Sequence, residues 1–174
     1  MDGGVLRFVV IAALLGGVGM WVLSSLLFRV VGTWERETTL GEHVAGPPER
    51  IILGQLGPFV TGRRDVPGGH QEFSGLLLFR TLRLTRRDHG VRHLVSMGFP
   101  DAIAAKVAGQ VMARLELRLD GENLAGDFIA SKIEFTHQPP RVTGSRFLPP
   151  QPRRYRRVDT LETVPALDEL GVSG

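Results

Sequence analysis

One alternating stretch in the middle of the chain constrains the fold more than any other feature. Over residues 111–119, apolar side chains at the odd positions alternate with mostly charged ones at the even positions. A period of two is typical of a β-strand with one buried face. Asp120-Gly121 follows, and Asp-Gly is a favoured pair for a tight hairpin turn. Residues 124–130 alternate again, so the sequence predicts an antiparallel hairpin.

Two further stretches, 51–56 and 76–85, also indicate strands, whereas 100–108 has the features of a short helix. Pro100 suits a first helical turn and Asp101 lies near the positive end of the dipole. We therefore predict a mainly β fold with one short helix, a small antiparallel barrel or sandwich of about five to seven strands. A change of buried face near residues 130–131 predicts a β-bulge.

A run of 21 residues without a charge occupies positions 8–28. At about 1.5 Å per residue, such a helix would cross a hydrocarbon core roughly 30 Å thick. Arg7 and Arg29 flank the run, which is longer than the apolar region of a secretory signal peptide. We predict a single transmembrane helix over 8–31, with Trp34 at the membrane interface. The expected location is a bacterial inner membrane, with the remaining domain outside the cytoplasm.

Small residues share faces of this predicted helix, where they would allow close packing against a partner helix or a second copy. These packing candidates are Ala12, Ala13, Gly16, Gly17 and Ser24.

Changes in composition divide the chain into segments. The expected order is an N-terminal tail (1–7), the transmembrane helix (8–31), a polar Pro/Gly stalk (32–49), a basic β-rich domain (50–157) with a Pro/Arg-rich extension (138–157), and an acidic flexible tail (158–174). Five prolines in the extension argue against a central strand there.

Positive charge is concentrated in the predicted domain. Residues 33–157 carry 19 basic and 13 acidic side chains, a net of +6, and most of the basic ones are arginine. Guanidinium groups pair well with carboxylate and phosphate. Candidate contacts to an anionic partner are Arg63, Arg64, Arg86, Arg87, Arg153, Arg154, Tyr155, Arg156 and Arg157. A protein partner or anionic lipid headgroups would suit them, whereas no nucleic-acid-binding signature is present.

The glycine-rich stretch 57–75 does not match a phosphate-binding loop, since it has no lysine and a strand follows where a helix would be needed. We interpret it as a long connection between two strands, with a turn around Pro67 and Gly68.

Catalytic and metal-binding patterns are weak. The chain has no cysteine, which excludes thiolate zinc sites and cysteine nucleophiles. The histidines lack a metal-binding motif, so we predict no catalytic residue, no metal and no cofactor. The alternative is a metal-dependent hydrolase that uses some of His70, Asp88, His89, His93 and His137.

These patterns favour a non-enzymatic accessory protein that presents a basic β domain to a partner in a membrane or envelope complex. A second alternative is a tethered carrier, in which apolar strands line a cavity for a small molecule or lipid.

Overall fold

The computed structural model describes Gly19 and residues 27–38 and 48–158. These residues form nine β-strands and two short helices. The strands are β1 (Gly32–Arg36), β2 (Arg50–Leu56), β3 (Phe59–Val66), β4 (Gly69–Leu78), β5 (Thr81–His89), β6 (Val111–Asp120), β7 (Asn123–His137), β8 (Pro140–Phe147) and β9 (Gln151–Val158). The helices are α1 (Val91–Ser96) and α2 (Asp101–Val107).

Eight of the strands close into an antiparallel barrel. Strands β1 to β7 pair in chain order, β9 then pairs with both β7 and β1, and β8 pairs with the distal half of β7 outside the barrel. The predicted hairpin is confirmed, with Asp120 opposite Asn123 across a two-residue turn. The predicted strand number of five to seven was too low, and the single predicted helix is accompanied by α1.

Large apolar side chains fill the barrel. The bulkiest fully buried ones include Trp34, Leu77, Leu82, Leu115, Leu124 and Tyr155. Each such side chain stabilises the fold by about 1.5–3 kcal/mol relative to exposure. An eight-stranded barrel is just wide enough for its interior to be filled by side chains.

From Ser131 onward β7 leaves the barrel and pairs with β8, and we call this part the β7–β8 extension. A second, smaller core lies where the helices meet it. Ile103 and Val107 of α2 pack with Leu94 of α1, Met112 of β6 and Ile133 of β7.

The predicted β-bulge near 130–131 is wrong. Strand β7 leaves the barrel there, and its odd positions face the second core, so the buried face changes without an inserted residue. The register shift lies further along, between Glu134 and Phe135.

The predicted transmembrane helix over 8–31 is corrected by the structure. In the part of the chain that the structure describes, no helix is long and apolar enough to cross a membrane. At the end of the predicted span, Val30 is fully buried in the barrel core, and its N–H donates to Gln55 Oε1 at 3.0 Å. The C-terminal end of the predicted span is therefore part of the barrel. The five packing candidates and most of the acidic tail lie outside the described residues.

The predicted stalk begins with a strand, since β1 occupies 32–36. Trp34, which we expected at a membrane interface, is 1% exposed in the barrel core. Its indole N–H donates to the carbonyl oxygen of Val30 at 2.8 Å, which satisfies the one polar atom of the buried ring.

The stretch 57–75 is a hairpin and not a long connection. Strands β3 and β4 pair through eight registered positions, from Phe59 opposite Leu76 to Val66 opposite Gly69. The turn around Pro67 and Gly68 is present, and Gly68 has the positive φ of 78° that the third position of a type II turn requires.

The Pro/Arg-rich extension contains two strands, and β9 is central in the sheet. Prolines were a poor guide because they lie at strand ends: Pro140 begins β8 and Pro152 is the second residue of β9. Pro152 is paired with β7 alone, because the pairing of β9 with β1 starts at Tyr155. A missing N–H is tolerated where one side of a strand is open.

Candidate functional site: the polar end of the barrel

The two ends of the barrel interior differ in chemistry. At one end the inward side chains include the apolar Val30, Leu119 and Leu124. At the other, which carries the turn between β3 and β4, alternate positions place polar side chains inside. We call this region the polar end, and it consists of Glu49, Arg64, Gln71, Arg86, Asp88 and Arg153.

Glu49 is the hub of one half of the polar end. Arg153 Nη1 donates to Glu49 Oε2 at 3.0 Å, and the Tyr155 hydroxyl donates to Oε1 at 3.2 Å. Arg64 Nη1 lies 3.7 Å from Oε1, and Arg36 Nη1 lies 3.9 Å from Oε2. Burial, followed by the charge of Glu49, raises the pKa of Tyr155 to about 12. Buried tyrosine and carboxylate thus share one hydrogen-bonded cluster.

Asp88 is the hub of the other half and is fully buried. Its Oδ2 accepts from Gln71 Nε2 and from Arg86 Nη2, both at 3.2 Å, and lies 3.5 Å from His93 Nε2. Arg86 Nε is 2.9 Å from Oδ1, which is ion-pair contact without hydrogen-bond geometry. Arg64 Nη1 donates to Gln71 Oε1 at 3.4 Å and so connects the two halves.

Phe128 is in cation–π contact with two guanidinium groups of this network. The Arg153 guanidinium carbon is 3.7 Å from the ring centroid, and that of Arg86 is 5.4 Å away. The ring face carries negative electrostatic potential and attracts both cations.

The charges of the polar end do not balance. Among the described residues, Arg64, Arg86 and Arg153 share the two carboxylates of Glu49 and Asp88, and Arg36 also lies in ion-pair range of Glu49. Desolvated cations in excess of anions favour an additional negative group nearby.

A surface groove of about 440 Å³ opens beside this network. Arg36, Arg153 and Arg154 line it together with the acidic side chains Glu37 and Asp127. Arg153 therefore belongs both to the interior network and to the groove, which connects the buried positive charge to the surface.

The structure separates the nine candidate contacts into three groups. Arg64, Arg86, Arg153 and Tyr155 come together at the polar end. Exposed positions on the outer wall hold Arg63, Arg87, Arg154 and Arg156. Arg157 lies at the opposite end, where its guanidinium is over Trp34 at 4.9 Å and donates to the carbonyl oxygen of Arg29 at 2.8 Å.

Sequence reasoning missed Glu49 and Gln71. Glu49 was assigned to the stalk, and Gln71 was placed in a connection. For Gln71 the available signal was the period of two that it shares with Phe73 and Leu77, which places it on the buried face of β4.

The five residues of the metal alternative do not form one site. Asp88 and His93 face the interior, whereas His70 and His89 lie on the outer wall, and His137 contacts Phe135 in the β7–β8 extension. Within the described residues, a group able to hold a metal ion is formed by His70, His89 and a residue not predicted, Glu72.

Comparison with protein-family models, with curated proteins and with solved structures finds no match. The class of protein is therefore given by the fold, a closed eight-stranded antiparallel β-barrel with two short helices. In the described residues nothing positively indicates an enzyme.

Proposed function

We propose that this barrel is a non-enzymatic binding module whose polar end engages an acidic segment of a protein partner. The observation that carries the proposal is the position of Arg153, which lies in a network with excess positive charge and also lines the groove of about 440 Å³.

Carboxylate is the chemistry that this arrangement fits. Arg153 is held by Glu49 at 3.0 Å and packed on Phe128, so its guanidinium is already oriented. Orientation before binding lowers the entropic cost of association. Arg154, the next residue, is exposed in the same groove and can form an ion pair with a second carboxylate of the partner. Glu37 and Asp127 in the groove wall would repel carboxylates placed incorrectly and so select for spacing.

The barrel interior gives less support to a carrier. Trp34, Leu77 and Leu115 are fully buried there and occupy the space that a ligand would need. A metal-dependent hydrolase using the five predicted residues is likewise not favoured, since those residues are divided between the interior, the outer wall and the extension.

Charge reversal at matched positions tests the proposal. Arg154→Glu places a repulsive charge in the groove, whereas Arg156→Glu makes the same change on the same strand face, outside the residues lining the groove. Binding of a fluorescent oligoglutamate peptide to the full chain is measured by anisotropy at low salt. We expect Arg154→Glu to weaken binding by about tenfold, equivalent to about 1.4 kcal/mol, and Arg156→Glu to have a much smaller effect.

Equal losses in both variants would mean non-specific attraction to a basic surface and would overturn the proposed site. A wild-type chain that does not bind the peptide even at low salt would have the same consequence.

A further inference from the structure

We propose that His70, Glu72 and His89 form a binding site for a divalent transition-metal ion of the zinc class. The site lies on the outer wall of the barrel and is independent of the polar end and of the proposed partner.

Strand pairing brings the three side chains together. His70 in β4 is the direct register partner of His89 in β5, so the two imidazoles project on the same face. Glu72 is two residues along from His70, which places it on that face as well. The two rings stack with centroids 4.9 Å apart and planes 8° from parallel.

The carboxylate of Glu72 is shared between the two imidazoles. Its Oε1 lies 3.3 Å from His70 Nε2, and its Oε2 lies 3.2 Å from His89 Nε2. His89 Nε2 is buried and makes no hydrogen bond, although Glu72 Oε2 lies 3.2 Å away. A desolvated imidazole nitrogen without a hydrogen-bond partner can coordinate a metal ion without first breaking a hydrogen bond.

The separations suit an ion after a small adjustment. The three ligand atoms lie within 4.8 Å of one another. Two ligands at about 2.0–2.2 Å from one zinc ion lie roughly 4 Å apart or closer. A pair at the 4.8 Å limit must therefore approach by about 1 to 1.5 Å, and rotation of the half-exposed Glu72 together with the partly exposed His70 and His89 side chains can supply this movement.

The donor set defines the class of ion. Two imidazole nitrogens and one carboxylate are suited to zinc, cobalt, nickel or ferrous iron, whereas magnesium and calcium prefer oxygen ligands alone. Three protein ligands leave one tetrahedral position open to water or to a donor from a bound molecule.

Cobalt(II) titration of the metal-free full chain tests the site, because tetrahedral cobalt has a visible spectrum and zinc competes for the same position. We expect one ion per chain. His70→Ala and His89→Ala should each weaken binding by about tenfold or more, since even residues that only support metal ligands contribute about 10–100-fold. His137→Ala is the matched control, because this histidine lies outside the cluster, and it should leave binding unchanged.

Nuclear magnetic resonance of the wild-type imidazoles provides a second readout that does not depend on variant folding. Added zinc should shift the ring nitrogens of His70 and His89 and leave those of His137 in place. Shifts spread over all histidines, or wild-type affinity equal to that of a His70→Ala/His89→Ala double variant, would overturn the site. Neither result would affect the groove test with Arg154→Glu, so the two proposals fail separately.

Discussion

Tyr155 donates a hydrogen bond to Glu49 across the inside of the barrel, with 3.2 Å between the hydroxyl oxygen and Oε1, although the two residues are 106 positions apart in the chain. Glu49 directly precedes β2 and Tyr155 lies in β9, so the contact crosses the intervening strand β1 on the inner face of the sheet. Since Tyr155 is the one tyrosine of the chain, its ionisation can be followed by absorbance without interference from another phenol.

The first prediction concerns that ionisation. Tyr155 should titrate with a midpoint near 12, against an ordinary value of 10.0, because burial and the negative charge of Glu49 oppose the phenolate more than Arg153 favours it. In Glu49→Gln the midpoint should fall, since one of these opposing effects is removed, while burial should keep it above 10. Ultraviolet titration of the folded protein measures both values, and an unchanged midpoint in the variant would contradict the role given to Glu49.

The raised pKa also predicts how stability depends on pH. A phenol that holds its proton more tightly when folded contributes stability that is fully present below the unfolded pKa of 10.0 and is lost as pH rises through about 12. Relative to Tyr155→Phe, the wild type should lose about 2–3 kcal/mol of unfolding free energy across this window. Urea denaturation at a series of pH values would show it. A constant difference between the two proteins from pH 9 to pH 12 would be the contrary result.

The second prediction concerns the buried ion pair of Arg86 and Asp88. Asp88→Asn should destabilise the fold by about 3–5 kcal/mol, because a largely buried guanidinium loses its counter-charge. The matched control is Asp65→Asn, whose partner Arg63 is exposed, and it should cost less than about 1 kcal/mol. Chemical denaturation of both variants gives the comparison. Similar losses of stability in the two variants would show that burial of the Arg86–Asp88 pair does not increase the cost of removing the carboxylate charge.

The third prediction concerns Phe128 and its contacts with Arg86 and Arg153. Phe128→Ala should cost about 3–5 kcal/mol, since it removes a buried ring and leaves two guanidinium groups without their contact. Phe147 also has an arginine over its ring, Arg114 at 4.1 Å, but it is 42% exposed. Phe147→Ala should therefore cost about 1 kcal/mol or less. Thermal unfolding separates the two variants, and the reverse order would be evidence against Phe128 as the centre of the network.

The fourth prediction compares two strand glycines, Gly75 in β4 and Gly54 in β2. A Cβ at Gly75 would overlap the carbonyl oxygen of Arg83 in the paired strand, whereas at Gly54 the nearest atom is Thr61 Oγ1 at 3.7 Å. We expect Gly75→Ala to destabilise the barrel by more than about 3 kcal/mol and Gly54→Ala to change it by about 0.5 kcal/mol or less. Circular dichroism melting curves measure both. Tolerance of alanine at Gly75 would mean that β4 and β5 can separate without cost.

Elements with strong local signals were predictable. The β6–β7 hairpin carries clean alternation and an Asp-Gly turn, and α2 carries Pro100 and Asp101 at its start. Both signals act within a few residues, so they can be read without knowledge of neighbours.

Elements of the polar end were harder to predict for a physical reason. Arg64 and Arg153 occupy inward positions where alternation predicts apolar residues, so β3 was assigned to a long connection and β9 to a proline-rich extension. A charged residue can take such a position only if distant partners neutralise it. The alternation rule contains no information about those partners.

The sequence alone therefore determined the antiparallel β character, the central hairpin and the second helix, because backbone propensity and burial periodicity are local properties. Tertiary structure decided which residues meet. Arg153 and Glu49 are 104 residues apart, and His70 meets His89 only through the register of β4 and β5. Barrel closure and strand register are set by the combined packing of all the strands, and this is why the two candidate sites appeared only in the folded chain.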